Sequence, residues 1–191
     1  MQKRKIVFSF NAPLMISFSL LALIALGLSS VTGGKSDRLV FSVYRSSISP
    51  LFIVRLFFHV LGHSSFTHLV SNIALILSLG PIVEERYGSV RVLIMFAITA
   101  LVSALFHLIF GNPGSALLGA SGIVYMLIFL ASTAGTNRGE IPITLIAVCA
   151  LYLTQEIAAG LFSADNISHM THIVGGLCGA FMGLFLHKTH K

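Results

Sequence analysis

Ser121 stands in the quartet Gly119-Ala120-Ser121-Gly122, which follows Asn112-Pro113-Gly114 and opens an apolar run reaching Ala134. A serine between glycines at a helix start is open to approach, and its own N–H lies among the unpaired donors of the first turn. Those are the requirements of a nucleophile whose attack creates an oxyanion. The same motif also serves packing, because small residues let membrane helices come close. His172 supplies the general base that a serine nucleophile needs near neutral pH. His68 and Asn72, four residues apart on one helix face, carry an imidazole N–H and an amide NH₂ that can point at one oxygen beside the Ser121 N–H. Interhelical hydrogen bonds are the other reading of that pair.

The elements that must position these groups are membrane helices. The chain has 191 residues, 55% hydrophobic and 9% charged, with a mean hydropathy of +0.93, whereas a soluble domain carries about 25% charged residues. We expect an all-α polytopic membrane protein in which residues 1–191 form one bundle with no second domain. The net charge of +6 does not indicate nucleic acid, because the cations sit at the ends of apolar runs, as the positive-inside rule describes. Cys149 and Cys178 fall inside apolar segments and read as small buried hydrophobes.

Six spans are expected, at about 12–28, 56–79, 92–110, 121–134, 142–162 and 168–186. The first follows Lys3, Arg4 and Lys5 and resembles a signal peptide in outline, but it lacks an A-x-A cleavage site and is kept as a span. Residues 31–53 are too long for a tight connection and too apolar for a free linker, so they should lie at the membrane surface. Gly80-Pro81 reads as the stop of the second span. With six spans both termini share a side. Lys3, Arg4, Lys5, Arg86, Arg91, Arg138, Lys188 and Lys191 fall there, against Lys35, Arg38, Arg45 and Arg55 opposite, which predicts cytoplasmic termini.

Depth brings the serine and histidine together. From Ser121 to Ala134 is about 14 residues, or ~21 Å of helix, against a hydrocarbon core of ~30 Å, so the hydroxyl should lie below the outer surface. His172 stands about 15 residues before Leu186 and arrives at a similar depth. Gly175, Gly176, Gly179 and Gly183 fall within about 60° of His172 around the helix, a ridge that admits a neighbouring helix. No carboxylate is an obvious third member, so the expectation is a Ser–His dyad. Tyr125, one turn after Ser121, can pack on His172 or be ordinary core. Glu156 lies near the same depth, and an intramembrane carboxylate is a functional candidate by default. It either lines a water-filled cavity or gate, or reaches up to the interface. A competing class is a metal-binding membrane protein or transporter, because His59 with His63 and His169 with His172 have spacings that can hold zinc. No HExxH motif accompanies them.

The ordered set His59, His63-x4-His68-x3-Asn72, Glu84-x-Arg86-x-Gly88-Ser89, Gly119-x-Ser121-Gly122 with Tyr125, and His172-x2-Gly175-x3-Gly179 resembles the rhomboid intramembrane serine proteases of bacteria, over roughly 55–183. The resemblance implies a six-helix rhomboid fold in an inner membrane, with Ser121 as nucleophile and His172 as base and acid. It implies oxyanion stabilisation by His68 and Asn72, support from Gly119 and Gly122, and Tyr125 packed on the histidine. It makes Glu84, Arg86 and Gly88 a structural turn and Arg55 the arginine of the loop junction. Substrates would be transmembrane helices of other proteins, cut within the lipid bilayer near its outer face, with no metal or organic cofactor. The chain departs from the family at Val54, where an aromatic is usual, in having no tryptophan, and at Thr171 and His169 near the histidine. A proteolytically inactive relative that escorts clients is the remaining alternative, although such relatives lose the serine or the histidine.

Overall fold

A computed structural model describes residues 10–133, 140–162 and 166–186. Seven α-helices follow one another: α1 Pro13–Thr32, α2 Pro50–Phe58, α3 Phe66–Tyr87, α4 Ser89–Phe110, α5 Ser121–Ser132, α6 Ile143–Phe162 and α7 Asn166–Phe185. The fold is all-α. Between α1 and α2 lies a π-helical turn, Asp37–Phe41, and a 3₁₀ turn, His59–Leu61, follows α2. The one backbone bridge outside helices among the described residues pairs Val43 with Leu117.

Among the described residues three helices, α1, α3 and α4, are long and apolar enough to cross a membrane. Leu20, Ile24, Leu93, Leu177 and Phe181 point outward, as side chains bathed in lipid should. The centre belongs to α5. Its residues from Gly122 to Leu130 are buried except Tyr125, so this short helix is enclosed by its neighbours instead of presenting one apolar stripe.

The second span differs from its expected bounds. It begins at Phe66, not near Leu56, because Gly62 adopts an extended conformation and the Ser65 side chain caps the new helix by accepting from the His68 N–H. Residues 50–58 form a separate helix, with Ser49 as its cap and Pro50 at its first turn. Nor does Gly80-Pro81 end the span, since Pro81 lies inside α3. Gly80 leaves room for the Met15 side chain of α1, whose sulfur occupies the place a Cβ would take, and packed neighbours let membrane helices tolerate such interruptions.

Glu84 explains how α1 is docked. The first turn of α1 has no side-chain cap of its own. Glu84, buried near the end of α3, accepts from the Leu14 N–H at 2.9 Å, the Met15 N–H at 3.2 Å and the Ser89 hydroxyl at 2.6 Å. One carboxylate thus satisfies two orphan donors and joins α1 to the α3–α4 turn. Hydrogen bonds to charged groups contribute about 1.5–3 kcal/mol each, so Glu84→Ala should lower stability by about 3 kcal/mol, with Glu84→Gln less damaging. Thermal unfolding in detergent checks both.

A ridge of glycines seats α7 on α5. A Cβ on Gly175 would meet the Gly122 carbonyl, one on Gly179 the Met126 carbonyl, and one on Gly183 the Thr133 hydroxyl. Backbone cannot give way as a flexible side chain can. Gly179→Val should therefore cost at least the ~1–3 kcal/mol typical of overpacking and push α7 off α5, seen as a lowered melting temperature. The same mechanism predicts that Gly27→Ala, on α1 with nothing within 4 Å of the added methyl, does not lower stability and gains up to about 1 kcal/mol from helix propensity.

Lys3, Arg4, Lys5, Arg138, Lys188 and Lys191, which carry much of the expected orientation, lie outside the described residues, as does the side chain of Glu156. Among the described cations, Arg86 and Arg91 flank the α3–α4 turn, whereas Lys35, Arg38, Arg45 and Arg55 belong to the segments joining α1 to α3 at the other end of the bundle.

Candidate active site

Ser121 is the first residue of α5, preceded by Ala120 as its cap. The approach to it is built by residues 115–120, an extended segment anchored at two points. Leu117 exchanges two backbone hydrogen bonds of 2.9 Å with Val43, and the Gly119 N–H donates to the His59 carbonyl at 2.9 Å. Gly119 has φ +131°, a conformation that favours glycine. A Cβ there would also lie 2.9 Å from the His68 ring.

His172 of α7 faces the serine, with Nε2 2.8 Å from Ser121 Oγ. Both residues are partly buried. The close seating of Gly175 on Gly122 sets this distance, because it fixes the register of α7 one turn from the imidazole. Tyr125 stacks on the His172 ring with centroids 4.7 Å apart and planes 8° from parallel. On its other side Tyr125 meets Tyr152 of α6 edge-on at 5.6 Å, so the aromatic plate behind the imidazole is itself braced.

His68 and Asn72 take different positions. His68 lies beside the serine: its Nε2 is 3.2 Å, and Ser121 Oγ 4.0 Å, from the place a Cβ on Gly119 would occupy. Its Nδ1 meets the Ser64 hydroxyl at 3.2 Å. Asn72, buried, turns its amide nitrogen to His63 Nε2 at 3.1 Å.

His63 is the residue of this site whose part sequence reasoning misses, treating it as a member of a motif or as a zinc-ligand candidate beside His59. Its Nδ1 lies 3.1 Å from the Leu61 carbonyl, a contact that requires Nδ1–H as donor and leaves Nε2 as acceptor. That nitrogen then receives the Asn72 amide and, at 3.5 Å, the Ala120 N–H. His63 sits in the loop ahead of α3, and burial pushes its imidazole down to about 4; it is neutral at pH 7, as an acceptor must be. The available signal was a third histidine at fixed spacing in front of His68.

The two histidine pairs of the metal-binding reading fare differently. His59 Nε2 is bonded to the Ala100 carbonyl at 3.1 Å, and both nitrogens of His63 are committed as described. His169 meets His172 edge-on, with centroids 6.1 Å apart. Among the described residues no group of three His, Cys, Asp or Glu could hold a metal ion. Behind the serine, Ser121, Gly122, His59, Thr99, Ser103 and Thr171 line a small cavity of about 10 Å³, close to the size of one water.

An all-α membrane bundle with a serine and a histidine in hydrogen-bond contact at the head of its central helix defines the class, and residues 51–189 match the Rhomboid domain family; the chain belongs to the rhomboid family and is an integral membrane protein. Among its relatives, YdcA of Bacillus subtilis (strain 168), provisionally named a rhomboid protease, is 28% identical over 145 residues, covering 72% of this chain and 68% of YdcA. The rhomboid protease GlpG of Salmonella newport (strain SL254) is 30% identical over 133 residues, 67% of this chain and 48% of GlpG. The chain thus spans about half the length of the GlpG relatives it matches.

Proposed function

We propose that this protein is an intramembrane serine endopeptidase that hydrolyses peptide bonds in or near transmembrane helices of other membrane proteins through a Ser121–His172 dyad. The 2.8 Å contact between Ser121 Oγ and His172 Nε2 carries the reading, and relatives named rhomboid proteases support the reaction class. The bundle is read as one domain of six spans in a bacterial inner membrane, with both termini cytoplasmic.

In the proposed reaction Ser121 Oγ attacks the substrate carbonyl carbon as His172 Nε2 takes the hydroxyl proton. The oxyanion forms beside the Ser121 N–H, with His68 and Asn72 as further donors. Breakdown transfers the proton from His172 to the leaving nitrogen and leaves an acyl ester on Ser121. Water, deprotonated by His172, then attacks that ester, and as the Oγ–acyl bond breaks His172 returns the proton to Ser121 Oγ and the second product leaves as its carboxylate. Tyr125 holds the imidazole plane through both transfers. A substrate helix must unwind before it can be cut, because its peptide bonds are shielded and internally hydrogen-bonded.

The test is cleavage of a single-span substrate by purified protein in detergent, with Ser121→Ala, His172→Ala and a chelator as arms. Cleavage lost in both variants and indifferent to the chelator supports the dyad. Activity that survived Ser121→Ala would discard it, and activity lost to the chelator alone would revive a metal-dependent reading.

A further inference from the structure

A second feature of the bundle lies beside the dyad and takes no part in the chemistry above. Residues 34–45, Ser64 and the 114–118 segment enclose an open cleft of about 650 Å³. It adjoins the catalytic groups at two points. Leu118 precedes Gly119, and the Ser64 hydroxyl that lines the cleft is hydrogen-bonded to His68.

The cleft is cationic. Arg38 and Arg45 both line it, against one carboxylate, Asp37. Asp37 keeps its charge, since its partner is the neutral Ser29 hydroxyl at the end of α1, so the lining carries an excess of one positive charge. Arg45 is held in place by the end of α4, where its guanidinium donates to the carbonyls of Leu108, Ile109 and Gly111 at 2.8, 3.0 and 2.9 Å. Those acceptors are neutral and leave its charge uncompensated. Arg38 is exposed. Its backbone carbonyl accepts from the Tyr44 hydroxyl at 3.0 Å, which sets the chain direction there, while its guanidinium has no ion pair or hydrogen bond among the described residues. The cleft therefore offers one arginine built into the wall and one available for a ligand.

Resting on the proposed protease reading, we infer that this cleft selects substrates carrying an acidic side chain in the stretch that leaves the bilayer on the dyad's face, with Arg38 as the specificity-determining residue. The cleft is walled by Leu118, one residue from Gly119, and by Ser64, the hydrogen-bond partner of His68, which puts it within reach of a chain bound at Ser121. A carboxylate there meets two guanidinium groups, and a lysine meets their repulsion. Pairs of this exposure are weak and weaken further with salt, which keeps the expected effect small.

The test uses the full-length protein in detergent and in vesicles of phosphatidylcholine alone. Single-span substrates carry one Glu, Gln or Lys walked along that stretch, and wild type is compared with Arg38→Ala, Arg38→Lys and Arg38→Glu. At one or two positions wild type should prefer Glu over Lys by about three- to ten-fold in kcat/KM at low salt. Arg38→Lys should keep the preference, Arg38→Ala should flatten it with the Gln substrate cut at the wild-type rate, and Arg38→Glu should reverse it. An unchanged Glu preference in Arg38→Glu overturns the inference, as does an Arg38 effect that is equal for all substrates and appears only on adding anionic lipid, which would mark a headgroup site. Binding of the same peptides to Ser121→Ala protein, by fluorescence anisotropy, must follow the same order. That measurement separates failure of the cleft from failure of the dyad, because it needs no cleavage.

Discussion

Ser121→Ala is expected to abolish cleavage while leaving the bundle folded. The expected loss in kcat is on the order of 10⁴- to 10⁶-fold, the range for removing the nucleophile of a serine hydrolase. The hydroxyl makes one contact of consequence, with His172 at 2.8 Å, and its removal leaves α5 buried in the same surroundings, so melting temperature should be unchanged. His172→Ala should produce a similar loss, and the double variant should be no worse than either single one, because the two act as a unit. Rate measurements on all three, beside their melting curves, check this. Additive losses would mean that the two residues work separately and that the contact has no catalytic meaning.

Asn72→Ala is expected to lower kcat by about 10²- to 10³-fold with little change in KM, the signature of a lost donor to the developing oxyanion. Its amide nitrogen rests on His63 Nε2 at 3.1 Å, and that contact makes a second, sharper expectation. His63 orients Asn72 and does not itself touch substrate. His63→Ala should therefore lower kcat by a smaller factor, about tenfold, and the effect of Asn72→Ala should shrink in the His63→Ala background. A double-mutant cycle on kcat measures that coupling. If His63→Ala and Asn72→Ala multiplied independently, the geometry seen around His63 would have no bearing on the reaction. His68→Ala supplies the comparison, since its imidazole flanks the serine directly across Gly119.

Much of this arrangement is legible in the sequence. Long apolar runs declare the membrane helices, since their signal is local composition. The proximity of Ser121 and His172 follows from counting residues to the inner ends of two helices, and the glycines at 175, 179 and 183 announce a close neighbour because a helix repeats every 3.6 residues. Tyr125 falls on the serine's face by the same arithmetic.

Other features depend on partners distant in the chain. Gly80-Pro81 has the signature of a helix stop, yet α3 continues because Met15 fills the groove that Gly80 opens. Hydropathy joins residues 56–65 to the following span, whereas Ser65 caps a new helix and separates them. Glu84 looks like one charge of a surface turn until Leu14 and Met15, about 70 residues away, present unpaired N–H groups to it. The cleft of Arg38 and Arg45 exists only because the 114–118 segment returns to close it. Composition and helical period act over short stretches, so the membrane helices and the candidate residues they carry could be read from the chain alone. Which polar groups satisfy one another could not be read that way, because in a membrane bundle each buried donor or acceptor must find its partner wherever the fold brings one.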